Sequence, residues 1–125
     1  MMAFKKCTKC QQLWTTRDNF ISSLDIRLIG YQANFDQPRD GLFLFAHASE
    51  NCGTTLAVRV DKFVDLYNGP IYTESRTGLL DCYGFCLEIH NLNRCRAKCR
   101  MEYIREIMLI ILKSKSNNLL ATKEL

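Results

Sequence analysis

Hydrophobic and polar positions change period several times along this chain, and the changes divide it into elements. Leu24, Ile26 and Leu28 alternate with Asp25 and Arg27, the period of a half-buried strand. Residues 36–41 (Asp-Gln-Pro-Arg-Asp-Gly) carry turn chemistry, and the unbroken apolar run at residues 42–46 reads as a central strand ending at His47. Residues 54–60 form a third strand pattern, with Leu56, Val58 and Val60 on one face. Short connections between the three predict an antiparallel meander.

Helical periods flank this core. Thr15, followed three residues later by Asp18, predicts the cap of a short helix carrying Phe20 and Ile21. Asp61 predicts the cap of another over residues 62–67, stopped by Asn68-Gly69-Pro70. The longest helix is expected over residues 97–113, with Met101, Ile104, Met108 and Ile111 as its stripe and Ile107 and Leu112 broadening it. A helix apolar on so many sides is buried or covered, so a protein partner or a homodimer through it is expected. The predicted fold is α+β: a small antiparallel sheet of about three strands, zinc-ribbon-like turns and a long C-terminal helix. A single metal-stabilised domain spans residues 1–113. Residues 114–125 read as a frayed polar tail, with Leu119-Leu120 as a pair able to dock.

Cysteine placement adds the chemistry. Seven cysteines and one histidine sort into two sets of four. Cys7 and Cys10 form a C-x2-C pair, joined by His47 and Cys52 further on. Cys82, Cys86, Cys95 and Cys99 form C-x3-C-x8-C-x3-C. Tetrahedral metal sites take four sulfur or nitrogen ligands in closely spaced pairs, so the pattern predicts two closed Zn2+ sites per chain, with iron as the alternative at one of them. Gly53 beside Cys52 lets backbone N–H groups approach a thiolate. Cys95 and Cys99, one helical turn apart, are expected on one face at the start of the long helix. His90 lies between the pairs and reads as an exposed loop residue, since four cysteines suffice without it.

No apolar segment precedes Lys5-Lys6-Cys7, and the longest apolar run, residues 107–112, is far shorter than a membrane span, so a cytoplasmic location away from membranes is expected. Reducing compartments disfavour disulfides, and an odd cysteine count would leave one thiol unpaired. The formal net charge of +4 loses its meaning once the sites are filled: seven thiolates and two Zn2+ bring it to +1. Arg94, Arg96, Lys98 and Arg100 then read first as countercharge to a zinc–thiolate dianion. The alternative is a nucleic-acid patch with Tyr83 and Phe85 as stacking partners. Enzyme and cofactor motifs fail: residue 49 is Ser where a deaminase needs Glu, residue 11 is Gln where covalent haem needs His, and Cys7 follows no strand-to-helix turn.

The ligand turns resemble the halves of a zinc-ribbon or rubredoxin-like site, with an H-x4-C second half in place of the usual C-x2-C. With the stretches Leu28-Ile29-Gly30-Tyr31-Gln32, Gly41-Leu42-Phe43-Leu44-Phe45 and Cys52-Gly53-Thr54-Thr55-Leu56-Ala57, the chain resembles a class of small cysteine-rich bacterial proteins. The resemblance implies a metal-binding fold and assigns no activity. Tyr31, Gln32, Thr54 and Thr55 read as strand residues before they read as a binding site. The functional expectation is a zinc-binding interaction or regulatory module; redox sensing or electron transfer with iron, and nucleic-acid binding, are the alternatives.

Overall fold

A computed structural model describes residues 3–50 and 52–124, with side chains in the last helix described as far as Ser114. Three strands form the expected antiparallel meander: β3 (Ile26–Gln32), β4 (Leu42–His47) and β5 (Thr55–Arg59), in the order β3-β4-β5. Before them, β1 (Lys5–Lys6) and β2 (Leu13–Trp14) pair as a small hairpin around the C-x2-C turn. Helix α1 (Arg17–Ser22) and helix α2 (Glu102–Glu124) complete the regular structure, with short 3-10 turns at Pro38–Asp40, Val60–Leu66 and Phe85–Leu87.

The inner face of the sheet follows the sequence alternation. In β4, Phe43, Phe45 and His47 point into the core while Leu42, Leu44 and Ala46 are half-buried. Leu56 and Val58 of β5 and Val60 after it bury on the same side as expected. Strand β3 begins later than its pattern implies: Leu24 stays exposed, because Ser23 caps α1 and the chain turns through Asp25 first. A register shift between Leu28 and Gly30 then re-phases β3, so Tyr31 enters the core. Phe20 of α1 packs edge-on against Phe45 at 4.9 Å and Trp14 at 5.2 Å, which ties the first hairpin to the sheet. Lys5 reinforces this by donating to the Ala57 carbonyl at 2.9 Å.

Four expectations need correction. Thr16, not Thr15, caps α1: its hydroxyl accepts the Asn19 N–H at 3.1 Å, and Thr15 instead accepts from the Asn19 side chain. The segment after β5 is the 3-10 turn Val60–Leu66, tight enough to bury Val60 and Phe63 together. The long helix starts at Glu102 rather than residue 97, and it runs past Lys113 because neither Gly nor Pro interrupts it. Its apolar stripe faces inward: Ile104, Ile107, Met108 and Ile111 are buried against the sheet and α1, while Ile110 keeps 37% exposure. Leu119 and Leu120 lie outside the described side chains. No described helix is long and apolar enough to cross a membrane.

Candidate metal centre

Cys7, Cys10, His47 and Cys52 converge, with ligand atoms all within 4.8 Å of one another. Each comes from an element fixed by the fold. The β1–β2 hairpin carries the Cys7–Cys10 turn, closed by the Cys7 N–H on the Gln12 carbonyl and the Gln11 N–H on the Cys7 carbonyl, both 2.8 Å. Gln11 takes a left-handed conformation (φ 70°), which turns the chain around the sulfurs. His47 continues the inward row of Phe43 and Phe45 at the end of β4, opposite Ile26 of β3. Cys52 follows in the β4–β5 loop, where Gly53 has φ 127°, a conformation that a side chain would strain.

The spacing suits a tetrahedral ion. Cys7 Sγ and Cys52 Sγ are 3.5 Å apart, and Cys10 Sγ lies 3.8 Å from His47 Nδ1. Ligands about 2.0–2.3 Å from a central ion sit roughly 3.6–3.8 Å from each other in a tetrahedron. Every cysteine in the chain is a free thiol. Cys7 and His47 are fully buried, and Cys10 and Cys52 are half-buried, so the cluster is enclosed on the protein side.

The second nitrogen of His47 is held equally well. Nε2 lies 3.1 Å from both Asp25 Oδ2 and Gln12 Oε1, which makes it the proton-bearing nitrogen and leaves Nδ1 to face the sulfurs. Asp25 is oriented in turn by the Ser23 hydroxyl. The Trp14 ring meets the imidazole edge-on at 5.1 Å. Asp25 and Gln12 were not legible in the sequence as site residues: both act through His47, and only the strand register brings Asp25 beside it.

Thiol energetics fit an anionic cluster. The Cys10 N–H, against opposing burial and with help from His47, lowers the Cys7 thiol to about 6. Burial raises the Cys52 thiol, but the Thr54 and Gly53 N–H groups outweigh it and hold it below its ordinary value. At Cys10 the Gln12 N–H lowers the pKa, yet burial and the neighbouring Cys7 and Cys52 raise it overall. Two thiolates come readily and the third is resisted by their charge. A divalent cation at the centre removes that repulsion, which is the chemistry this donor set is suited to.

The other predicted ligands are arranged differently. Cys82, Cys86, Cys95 and Cys99 line one cavity of about 20 Å³. Among the described residues, however, only the first set brings three or more such donor atoms within 4.8 Å. Cys95 and Cys99 do not share a helix face, since both precede α2. The backbone curls around the sulfurs instead: Cys99 Sγ accepts the Met101 N–H at 3.5 Å and the Arg76 N–H at 3.2 Å. His90 is exposed and meets the Ile29 carbonyl through Nδ1 at 2.9 Å.

Burial alternates through residues 94–99: Arg94, Arg96 and Lys98 are exposed while Cys95, Ala97 and Cys99 are buried. Arg94 pairs with Glu106 at 3.2 Å, and Arg100 donates to the Asp36 carbonyl at 3.3 Å. Tyr83 and Phe85 stack on each other, with centroids 5.4 Å apart. No protein-family model, curated protein or solved structure gave a significant match to the chain.

Proposed function

We propose that Cys7, Cys10, His47 and Cys52 hold a structural Zn2+ and that the protein acts as a metal-stabilised interaction or regulatory module. One observation carries this reading: the four donors close to within 4.8 Å, with the far side of His47 anchored by Asp25. Four protein ligands fill a tetrahedral Zn2+, leaving no position for a water or substrate, so the ion serves folding rather than turnover. The mixed sulfur–nitrogen set and carboxylate-oriented imidazole favour Zn2+ over hard cations such as Mg2+ or Ca2+.

Elemental analysis of the purified protein, combined with its visible spectrum, tests the assignment. Zinc with no visible absorption is expected, because Zn2+ is d10. An anaerobically purified protein coloured by thiolate–iron absorption would replace this reading with an electron-transfer or redox-sensing one.

A second reading, contact with a polyanion through Arg94, Arg96, Lys98 and Arg100, is favoured by the alternation that turns the first three outward together. It requires an affinity that falls steeply with salt, and absence of binding to single- or double-stranded DNA or RNA at low salt ends it. Self-association through α2 would use what its inward packing leaves outside, beginning with Ile110. A strictly monomeric mass by light scattering removes that option.

A further inference from the structure

Arg105 lies in an unusual place. It is completely buried, on the core side of α2, and no described acid pairs with its guanidinium within salt-bridge distance. Its hydrogen bonds go to neutral carbonyls, Asn93 at 2.9 Å and Asn91 at 2.6 Å, and its Nη1 points at Cys86 Sγ at 3.7 Å. Phe85 covers one face of the group, with its centroid at 5.5 Å. Burying a guanidinium without an anion is costly, so negative charge belongs next to it. Glu102 reaches the same cavity but forms no ion pair with Arg105, and burial raises its carboxyl pKa.

The candidates for that negative charge are the sulfurs themselves. Cys82, Cys86, Cys95, Cys99 and Arg105 line the same cavity, whose volume of about 20 Å³ is room for one ion or one water and for no larger ligand. Backbone N–H groups also point at three of the four sulfurs, while burial raises the Cys86 and Cys95 thiols, a cost that a cation among them would offset. Cys82 Sγ accepts the Gly84 N–H at 3.4 Å, Cys99 Sγ accepts the Met101 N–H, and the Cys95 sulfur faces the Ala97 N–H, each from the residue two positions on. The first set shows the same offset at Cys10 (Gln12) and Cys52 (Thr54), while at Cys7 the Cys10 N–H, three positions on, outweighs that of Lys9. Cys86 departs from the offset and takes Arg105 instead. Gly84 reaches its place through φ 77°, which brings its N–H to the sulfur. The buried Tyr31 hydroxyl has no hydrogen-bond partner among the described residues.

We propose that Cys82, Cys86, Cys95 and Cys99 bind a second Zn2+ as four thiolates in this cavity, with Arg105 as its buried countercharge. Four thiolates around Zn2+ carry two negative charges, which one guanidinium offsets by half while its N–H groups hold Cys86. Binding draws the sulfurs to about 3.8 Å from one another, the edge of a Zn–S tetrahedron. Residues 82–86 and 94–99, which lack helix or strand ladders apart from one 3-10 turn, supply the movement.

X-ray absorption at the zinc edge on the unmutated protein, with metal content measured on the same sample, tests this apart from the first site. Two zinc ions sharing seven sulfurs and one nitrogen are expected. One zinc with three sulfurs and one nitrogen overturns the second site and leaves the first; one zinc with four sulfurs does the reverse. Arg105 is tested by competition with a chelator. R105M is expected to weaken one of the two zinc ions by about 10–100-fold, with R105K recovering part of the loss. Equal retention of both ions in R105M, in a protein with unchanged circular dichroism, rejects the countercharge role. Should R105M fail to fold, R105K and the absorption measurement still decide.

Discussion

The two cysteine sets share ligand chemistry and differ in what holds them. In the first, the hairpin, the end of β4 and the β4–β5 loop deliver four donors to one point, because strand pairing fixes those elements independently of any ion. In the second, the donors sit on loops whose backbone bonds are mostly local turns, with a few ties to the rest: Tyr31 N–H to the Ile89 carbonyl at 2.8 Å and Arg100 N–H to the Glu74 carbonyl at 2.8 Å. Where ladders bear the geometry, the site is preassembled. Where local turns and N–H···S bonds bear it, the sulfurs stay apart, and the proposed second ion would complete the order. The lesson is that ligand spacing in sequence nominates candidate donors, while the surrounding hydrogen bonds decide whether the fold gathers them.

Metal removal should produce the largest effect and expose this difference. Structural zinc is worth about 10–16 kcal/mol in apparent binding energy at neutral pH, comparable to the whole stability of a domain. A strong chelator is therefore expected to lower the Tm steeply. As chelator is titrated in, amides of residues 71–100 should lose exchange protection before those of β3, β4 and β5. Simultaneous loss in both regions, followed by hydrogen-exchange mass spectrometry, would erase the distinction.

Substitution at His47 comes next. H47A removes a ligand from the core end of β4 and strands Asp25, so a destabilisation above about 4 kcal/mol is expected by denaturant unfolding. H47C supplies a fourth sulfur and should retain the ion at that site. If H47A keeps full metal content and stability, His47 is a satisfied core histidine and the first site loses its fourth ligand. D25N acts one step further out: it leaves all four ligands in place but weakens the orientation of Nε2–H, for an expected 10–100-fold drop in metal affinity.

These residues also mark how far the sequence could be read. The three-strand meander was legible because an unbroken apolar run at residues 42–46 sits between two alternating segments, residues 24–28 and 56–60, and the Cys7–Cys10 turn because C-x2-C has few other uses. His47 had a stronger signal than its spacing from Cys52: it stands two residues after Phe45, at an inward position of a strand, where an unpaired imidazole would be costly. Arg105 carried a signal too, as a lone cation among Met101, Ile104 and Met108 on the apolar side of a helix. The helical start assigned to Cys95 and Cys99 failed because a four-residue interval fits both a helical turn and two successive sulfur-centred turns. Nothing local in the sequence separates them. Asp25 and Gln12 were unreadable for a different reason: their role exists only through tertiary register.

The smallest effect separates metal-linked stability from ordinary surface electrostatics. Arg17 of α1 grips Asp65 through Nη1 and Nη2, and its Nη1 also donates to the Lys62 carbonyl at 3.0 Å, pinning the Val60–Leu66 turn through groups that are not candidate ligands. The bond to Arg17 holds the Asp65 carboxyl below its ordinary value. A depressed carboxylate contributes stability that is fully present above its unfolded pKa, about 3.9, and is lost only as pH falls through the lower folded value. D65N should therefore lower the Tm slightly, by the same amount at mildly acidic and at neutral pH, with metal content unchanged and the effect reduced by salt. The metal-dependent part behaves oppositely: over that same interval protons compete for thiolates and imidazole, so the gap in Tm between zinc-loaded and chelator-treated protein should widen as pH rises. A D65N penalty that grew with pH in step with that gap would mean the turn and the metal sites are one cooperative unit, and the contrast between the two regions would then extend to the whole core.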